Sequence, residues 1–193
     1  MATSTPWGSS QYSKQYGKGI VYYGTAGHGG FHVSATLLVH MPDYLKTADG
    51  YADGTKGWFE EDCAWSLVVT AFPGRFDDKM REEAKETLRH TYPEVYERHY
   101  GVTLQPGESH KRDEQLFLQA HANDYLVLAA WGDWHEKVPE GFVGVFAGRG
   151  GRTASGGYPA DTKYFLVPDA EYQMQSGHFV VNPAVHQEVG EIG

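Results

Sequence analysis

The chain has 193 residues, of which 40% are hydrophobic and 21% charged, a composition that can build the core of a folded domain. Its formal net charge at pH 7 is −9. Because an acidic surface repels phosphate groups, this balance argues against direct binding of nucleic acid or anionic membranes and favours a partner with a basic surface.

Two β-strands are predicted on either side of a glycine-rich segment near the start of the chain. Residues 19–24 (GIVYYG) are β-branched and aromatic, and residues 31–39 (FHVSATLLV) alternate before becoming fully apolar. The AGHGG segment between them has the length of a hairpin connection, and its glycines can adopt positive φ. We therefore expect a glycine turn joining two strands.

The middle of the chain is predicted to be mainly helical. Residues 42–57 are rich in Asp and Gly and are typical of a loop. Residues 58–72 (WFEEDCAWSLVVTAF) are long enough for a helix that ends before Pro73, although their second half also has the composition of a buried strand. Three more helices are predicted within residues 76–90, 91–101 and 109–124.

The last third of the chain returns to β-type segments bounded by Gly, Pro, Asp or Asn. They are residues 124–133, 141–148, 163–168 and 177–183. The order of elements predicts an α+β fold: an antiparallel sheet of about five to six strands, with helices from the middle of the chain packed on one face. We expect a single domain over residues 1–193, and the helical block 58–121 is interpreted as part of it or as an insertion in the sheet.

The motif HGGFH places His28 and His32 four residues apart. On an extended strand this separation corresponds to roughly 13 Å, which is too far for two ligands of one metal ion. The spacing therefore does not predict a metal site, and we expect no cofactor. The structural interpretation is a glycine turn with a histidine bonded to the backbone.

The motif WFEED places Glu60, Glu61 and Asp62 at the start of a predicted helix, where the helix dipole stabilises negative charge. Successive side chains on a helix are rotated by about 100°, so at least one carboxylate should face the protein and need a partner. His28 or His32 would serve as that partner. A histidine–carboxylate pair is typical of general acid–base catalysis, so these five residues are the candidate catalytic residues.

Two sets of residues are candidates for protein binding. The segment WGDWHEK carries aromatic and polar side chains at a predicted strand end, which suits either a recognition surface or an exposed turn. The predicted helices carry a run of glutamates. The candidate binding residues are Trp131, Asp133, Trp134, His135 and Glu136, together with Glu82, Glu83, Glu86, Glu94 and Glu97.

Cysteine usage and hydropathy point to a cytoplasmic protein. The one cysteine, Cys63, cannot form an intramolecular disulfide. The first residues lack the apolar segment of a secretory signal, and no run approaches the ~20 apolar residues of a membrane span. We expect the protein to lie in the cytoplasm of a bacterial host cell.

Several motifs resemble an uncharacterised family carried by bacteriophages, prophages and conjugative plasmids, which has no assigned reaction. They are TPWG (5–8), GIVYYGTAGHGGFHVS (19–34), GWFEEDCAW (57–65), and YFLVPDAEY with HFVVNPAVHQEV near the end. The resemblance implies a small accessory protein of a mobile element, and such accessory proteins often act on host defence systems. It implies no catalytic residue.

Three hypotheses follow. The leading one is an acidic accessory protein that binds a host protein, such as a DNA- or RNA-binding defence complex, and inhibits it in the manner of an anti-CRISPR or anti-restriction protein. The alternative is a hydrolase whose histidine–carboxylate or metal site combines HGGFH with WFEED. The third is a small virion or structural component. The oligomeric state is left open.

Overall fold

A computed structural model describes residues 2–48, 56–174 and 177–193. It confirms the α+β class, with helices and several antiparallel sheets. The chain divides into two compact units, Met1–Arg112 and Asp113–Gly193. The expectation that the whole chain forms one domain stays a prediction. No helix in the described ranges is long and apolar enough to cross a membrane.

The first unit contains a four-stranded antiparallel sheet and a separate two-stranded ribbon. The ribbon pairs β1 (Ser4–Thr5) with β2 (Gly8–Ser9). The strands of the larger sheet, in their spatial order, are β3 (Tyr12–Gln15), β4 (Ile20–Gly24), β5 (Gly29–Val33) and β6 (Trp58–Glu60). Every neighbouring pair in it is antiparallel.

The sheet register brings the histidine motif HGGFH next to the carboxylate motif WFEED. Strand β5 carries most of HGGFH and pairs with β6, the start of WFEED, so that His32 lies opposite Trp58 and Gly30 lies opposite Glu60. The backbone N–H of Glu61 also donates to the carbonyl of Gly29 at 3.1 Å. The two motifs are therefore neighbours across adjacent strands, although this register pairs neither histidine with a carboxylate.

The first unit also contains helices. They are α1 (Ala35–Leu38), α2 (Asp43–Lys46), α3 (Trp65–Ala71), α4 (Asp78–Thr91) and α5 (Pro93–Tyr100), with α6 (His110–Ala120) beginning at the unit's end. Asp77 caps α4, since its carboxylate accepts from the backbone N–H of Met80 at 2.9 Å. Gly101 ends α5 with a φ of 66°.

The helix predicted over residues 58–72 is wrong in its first half. Residues 58–60 form strand β6, a turn follows, and the helix begins only at Trp65. The Glu60 carboxylate stabilises this turn by accepting from the backbone N–H groups of Asp62 at 2.5 Å and Cys63 at 3.3 Å. Glu60 therefore ends strand β6, and Glu61 and Asp62 lie in the turn that follows it, so the three carboxylates do not open a helix.

Two other local predictions are corrected. The second strand, predicted over residues 31–39, ends at Val33, because the Ser34 carbonyl accepts from the N–H groups of Leu37 and Leu38 and starts the short helix α1. A short apolar run does not distinguish strand from helix by its periodicity. Helix α2 lies within the loop predicted over residues 42–57, of which residues 49–55 lie outside the described residues.

The core of the first unit lies between one face of the sheet and helices α3 and α4. Its largest fully buried side chains include Ile20 and Phe59 from the sheet and Leu67, Val68 and Leu88 from the helices. Helix α3 contacts both β5 and β6 and also packs against α4. This packing fixes the strand ends that carry HGGFH and WFEED against the start of α4.

The second unit is built on a five-stranded antiparallel sheet. In spatial order its strands are β10 (Val180–Val181), β7 (Tyr125–Trp131), β8 (Phe142–Arg149), β9 (Thr162–Pro168) and β11 (Gln187–Val189). The four strands predicted in this part of the chain are confirmed. The strands of the two units form separate sheets, and the strands of the first unit include β6, which the sequence had assigned to a helix.

The glycine pair of HGGFH has a different role from the one predicted. The connection between β4 and β5 consists of residues 25–28, whereas Gly29 and Gly30 belong to β5 and neither has a positive φ. A Cβ at Gly30 would overlap the backbone oxygen of Phe59 and the ring of Trp7. The pair is therefore required for close approach of neighbouring groups.

Gly30→Ala is expected to lower the free energy of unfolding by about 2–3 kcal/mol, because the added methyl group collides with the backbone of β6. Urea denaturation followed by far-UV circular dichroism measures this change. Gly27→Ala in the same motif is the control: a Cβ there meets nothing within 4 Å, so its effect should stay within ~0.5 kcal/mol. Equal losses in both variants would contradict the explanation.

Candidate functional site: an aromatic and acidic pocket

An open pocket of about 340 Å³ lies in the first unit where the sheet meets the start of helix α4. We call it the aromatic–acidic pocket. It is lined by Tyr16, Tyr22, Phe31, Glu61, Trp65, Met80 and Glu83. These residues come from β4, β5, the turn after β6, α3, α4 and the segment after β3, so the pocket exists only when the unit is folded.

Three rings form the part of the pocket that lies against the sheet. Phe31 is buried, whereas Tyr16 and Tyr22 are half-buried. Both tyrosine rings stand steeply on Phe31: the centroids of Tyr16 and Phe31 are 5.2 Å apart at 73°, and those of Tyr22 and Phe31 are 5.5 Å apart at 77°. Edge-to-face packing of this kind favours fixed ring positions.

Glu61 is held in the pocket by a hydrogen bond from the Tyr22 hydroxyl to its Oε2. Gly29 leaves room for this hydrogen bond, because a Cβ at that position would overlap both the hydroxyl and the carboxylate. Burial, followed by the bond to Glu61, raises the pKa of Tyr22 well above its usual value. Tyr22 therefore stays protonated at neutral pH and keeps donating to Glu61.

The charge of the pocket is negative. Glu61 and Glu83 are both lining residues, and the lining residues include no Lys, Arg or His. The Glu83 carboxylate is 54% exposed and lies 3.7 Å from the 83% exposed Lys79, which is a weak surface pair. The ammonium of Lys14 lies 4.7 Å from the centroid of the Tyr16 ring, so one wall of the pocket already attracts a cation.

The two candidate histidines contact other groups. The His28 residue is exposed, and its backbone N–H and carbonyl bond to Thr25. The His32 ring packs on Trp58 with the ring centroids 4.4 Å apart, and burial lowers the pKa of His32. His28 thus bonds to Thr25 through its own backbone and His32 packs on a ring, whereas strand β5 takes the place of the predicted glycine turn.

The candidate carboxylates are likewise not joined to these histidines. Glu60 accepts from the backbone of the following turn, Asp62 is exposed, and Glu61 accepts from Tyr22. In the part of the chain that the structure describes, no hydrogen bond or ion pair links either histidine to any of the three carboxylates. Nor does any group of three or more His, Cys, Asp or Glu there have a metal-binding arrangement.

Tyr22 is the residue that the sequence reasoning missed. The segment GIVYYG predicted a strand, and strand alternation places Tyr22 and Ile20 on one face. Its partner, however, depends on β5 and β6 lying in a particular register, which no local pattern reveals. The sequence therefore places Tyr22 on a strand but does not identify Glu61 as its partner.

Most of the candidate glutamates of the helices already have partners within the first unit. Glu86 pairs with Arg89, and Glu97 pairs with Arg112 while also accepting from a backbone N–H. Glu94 lies 3.4 Å from Arg112. These three carboxylates therefore contribute to the packing of α4, α5 and the start of α6, and their negative charge is compensated locally.

The remaining two glutamates of that set differ in their surroundings. Glu82 lines a second pocket of about 320 Å³ together with the basic residues Arg81 and Lys85. Glu83 lines the aromatic–acidic pocket. Of the five predicted helical glutamates, Glu83 is thus the one placed beside Glu61, where two negative charges lie among aromatic rings.

The tryptophan segment of the second unit forms a separate exposed feature. Trp134 is 77% exposed, and its ring contacts His135 with the centroids 5.9 Å apart. Trp131 is half-buried and lies 6.3 Å from the His135 ring, and both Asp133 and Glu136 are exposed. The structure therefore brings these five predicted residues together at the end of β7, where they stay a candidate recognition surface.

Comparison with known proteins identifies the family of the chain. The family model described as a domain of unknown function, DUF7007, matches residues 1–122, so the chain belongs to this family. No curated protein matches the chain, and no solved structure matches it. The matched segment contains every lining residue of the aromatic–acidic pocket.

Tyr22→Phe is expected to lower the free energy of unfolding by about 1 kcal/mol at pH 7, because it removes a hydrogen bond to a carboxylate. Because folding raises the pKa of Tyr22, its contribution to stability is fully present below the unfolded pKa near 10. This contribution is lost as the pH rises above that value. Between about pH 9 and pH 11 the wild-type stability should therefore fall more steeply than that of Tyr22→Phe.

The control for this experiment is Tyr23→Phe, on the same strand but with its ring against Trp58. Chemical denaturation across the pH range measures all three proteins. If Tyr22→Phe and the wild type lose stability in parallel above pH 9, the bond to Glu61 does not perturb Tyr22 as described.

Proposed function

We propose that this protein binds a partner protein through a basic surface of that partner, and that the aromatic–acidic pocket is a point of contact. The observation that carries the proposal is the pocket itself: four aromatic residues and two glutamates line it, and the lining residues include no base. The faces of aromatic rings attract cations, and two nearby carboxylates add a Coulombic attraction.

The overall charge supports the same kind of partner. A formal charge of −9 repels polyanions and accelerates encounters with positively charged proteins. Because Glu86, Glu94 and Glu97 are paired within the protein, the attraction for a partner is not spread evenly over the acidic helices. Glu61 is bonded to a neutral hydroxyl and Glu83 forms only a weak surface pair with Lys79, so the negative charge beside the rings gives the pocket a specific part in recognition.

The target class in this proposal is a DNA- or RNA-binding defence complex of a bacterial host. Proteins that bind nucleic acid present clustered Lys and Arg side chains, which is the surface that an acidic binder would cover. The resemblance of several motifs to a family carried by mobile elements motivates the defence context. Inhibition would follow from occupying the surface that the nucleic acid needs, as an anti-CRISPR or anti-restriction protein does.

The two alternatives stay predictions that no specific contact favours. A hydrolase of the expected kind needs a histidine beside a carboxylate, whereas His32 packs on Trp58 and Glu61 bonds to Tyr22. A virion or structural component would require self-association, for which an oligomeric interface would have to be observed.

The test measures binding of the purified protein to purified host defence complexes at graded salt. We expect a complex whose Kd rises by about tenfold or more between roughly 50 and 500 mM salt, since screening weakens attraction between opposite charges. The double variant Glu61→Gln with Glu83→Gln should weaken binding further at low salt, because it removes both charges of the pocket.

A matched control removes the same number of charges elsewhere. Glu140 and Glu191 are exposed residues of the second unit, and changing both to Gln should leave the affinity within about twofold of the wild type. Absence of a salt-dependent complex with any defence complex would overturn the proposed target class. An equal loss in both double variants would show that the total charge, and not the pocket, determines binding.

A further inference from the structure

We infer that the aromatic–acidic pocket takes the guanidinium group of a single arginine side chain of the partner, an inference that rests on the proposed function and narrows it to one ligand chemistry. The pocket volume of about 340 Å³ is at the small end of ligand sites, which suits one side chain better than an extended segment.

The ring arrangement favours a flat cation. Tyr16 and Tyr22 both stand at more than 70° to the Phe31 ring, and all three rings line the pocket. A planar guanidinium stacks on aromatic faces and is more weakly hydrated than an ammonium group. Lysine carries a compact, strongly hydrated charge, which loses more hydration on entering such a site.

The acidic groups also suit an arginine. The Tyr22 hydroxyl donates to Oε2 of Glu61, and within the described residues no hydrogen bond reaches the other carboxylate oxygen, Oε1, which can accept from a ligand. Glu83, on α4, supplies a second carboxylate at the same pocket. A guanidinium has five N–H donors in a fixed plane and can bond to two carboxylates at once.

Tyr22 acts in this scheme as a positioning residue. Its hydroxyl holds Glu61 at the pocket, and its raised pKa keeps the hydroxyl protonated over the physiological range. Lys14 already lies over the Tyr16 ring without being a lining residue, which indicates that this ring attracts a cation in the protein itself. An anionic ligand would meet two carboxylates and is not compatible with the site.

The test uses the full chain and three capped tripeptides: Gly-Arg-Gly, Gly-Lys-Gly and Gly-citrulline-Gly. Citrulline keeps the shape of arginine but has no charge. Binding is followed by the NMR signal of the Trp65 indole N–H, which is assigned by its loss in Trp65→Phe. We expect saturable binding of the arginine peptide with a Kd of about 1 mM, at least about threefold weaker binding of the lysine peptide, and no binding of the citrulline peptide.

Variants locate the site. Glu61→Gln with Glu83→Gln should abolish the shift caused by the arginine peptide, whereas Glu140→Gln with Glu191→Gln should keep it. Tyr22→Phe should raise the Kd several-fold without abolishing binding, because Glu61 stays present but is less well held. Circular dichroism of each variant establishes that it is folded before titration.

The outcomes separate this inference from the proposed function. Equal shifts with all three peptides, or none at Trp65, would overturn the arginine specificity even if a salt-dependent complex with a defence protein forms. Conversely, selective binding of the arginine peptide without any such complex would support the pocket chemistry and count against the proposed target class.

Discussion

The hydrogen bond from Tyr22 to Glu61 depends on three strands being brought together in one register. Tyr22 lies on β4, Glu61 follows β6, and Gly29 of β5 separates them without a side chain. If β5 carried any larger residue at this position, the hydroxyl and the carboxylate would be forced apart. The shape and the charge of the aromatic–acidic pocket both follow from this constraint.

The distribution of compensated charge explains why the pocket differs from the rest of the acidic surface. Glu86 pairs with Arg89 within α4 and Glu97 of α5 pairs with Arg112 of α6, and an ion pair presents little net field to a partner. Glu61 is instead satisfied by a neutral hydroxyl, which orients the carboxylate and leaves its charge in place. A neutral donor thus preserves the negative potential that a basic partner would meet.

The histidine motif HGGFH and the neighbouring WFEED segment show what local sequence patterns can and cannot predict. The structure places the strand of HGGFH beside β6, which carries Glu60, but in the described residues no hydrogen bond joins either histidine to a carboxylate of WFEED. The carboxylate segment was assigned to a helix and strand character was recognised only in the residues after it, whereas the structure has the strand first and the helix second. The side chain of Glu60 stabilises the turn between them.

By itself the sequence determined the α+β class, the four strands of the second unit, the capped helices and the acidic character, since all of these follow from composition and short-range periodicity. Only the tertiary structure decided that Tyr22, and not a histidine, is the partner of Glu61, and that Glu83 joins them. Such contacts depend on strand register and on helix packing between residues far apart in the chain, which no local spacing specifies.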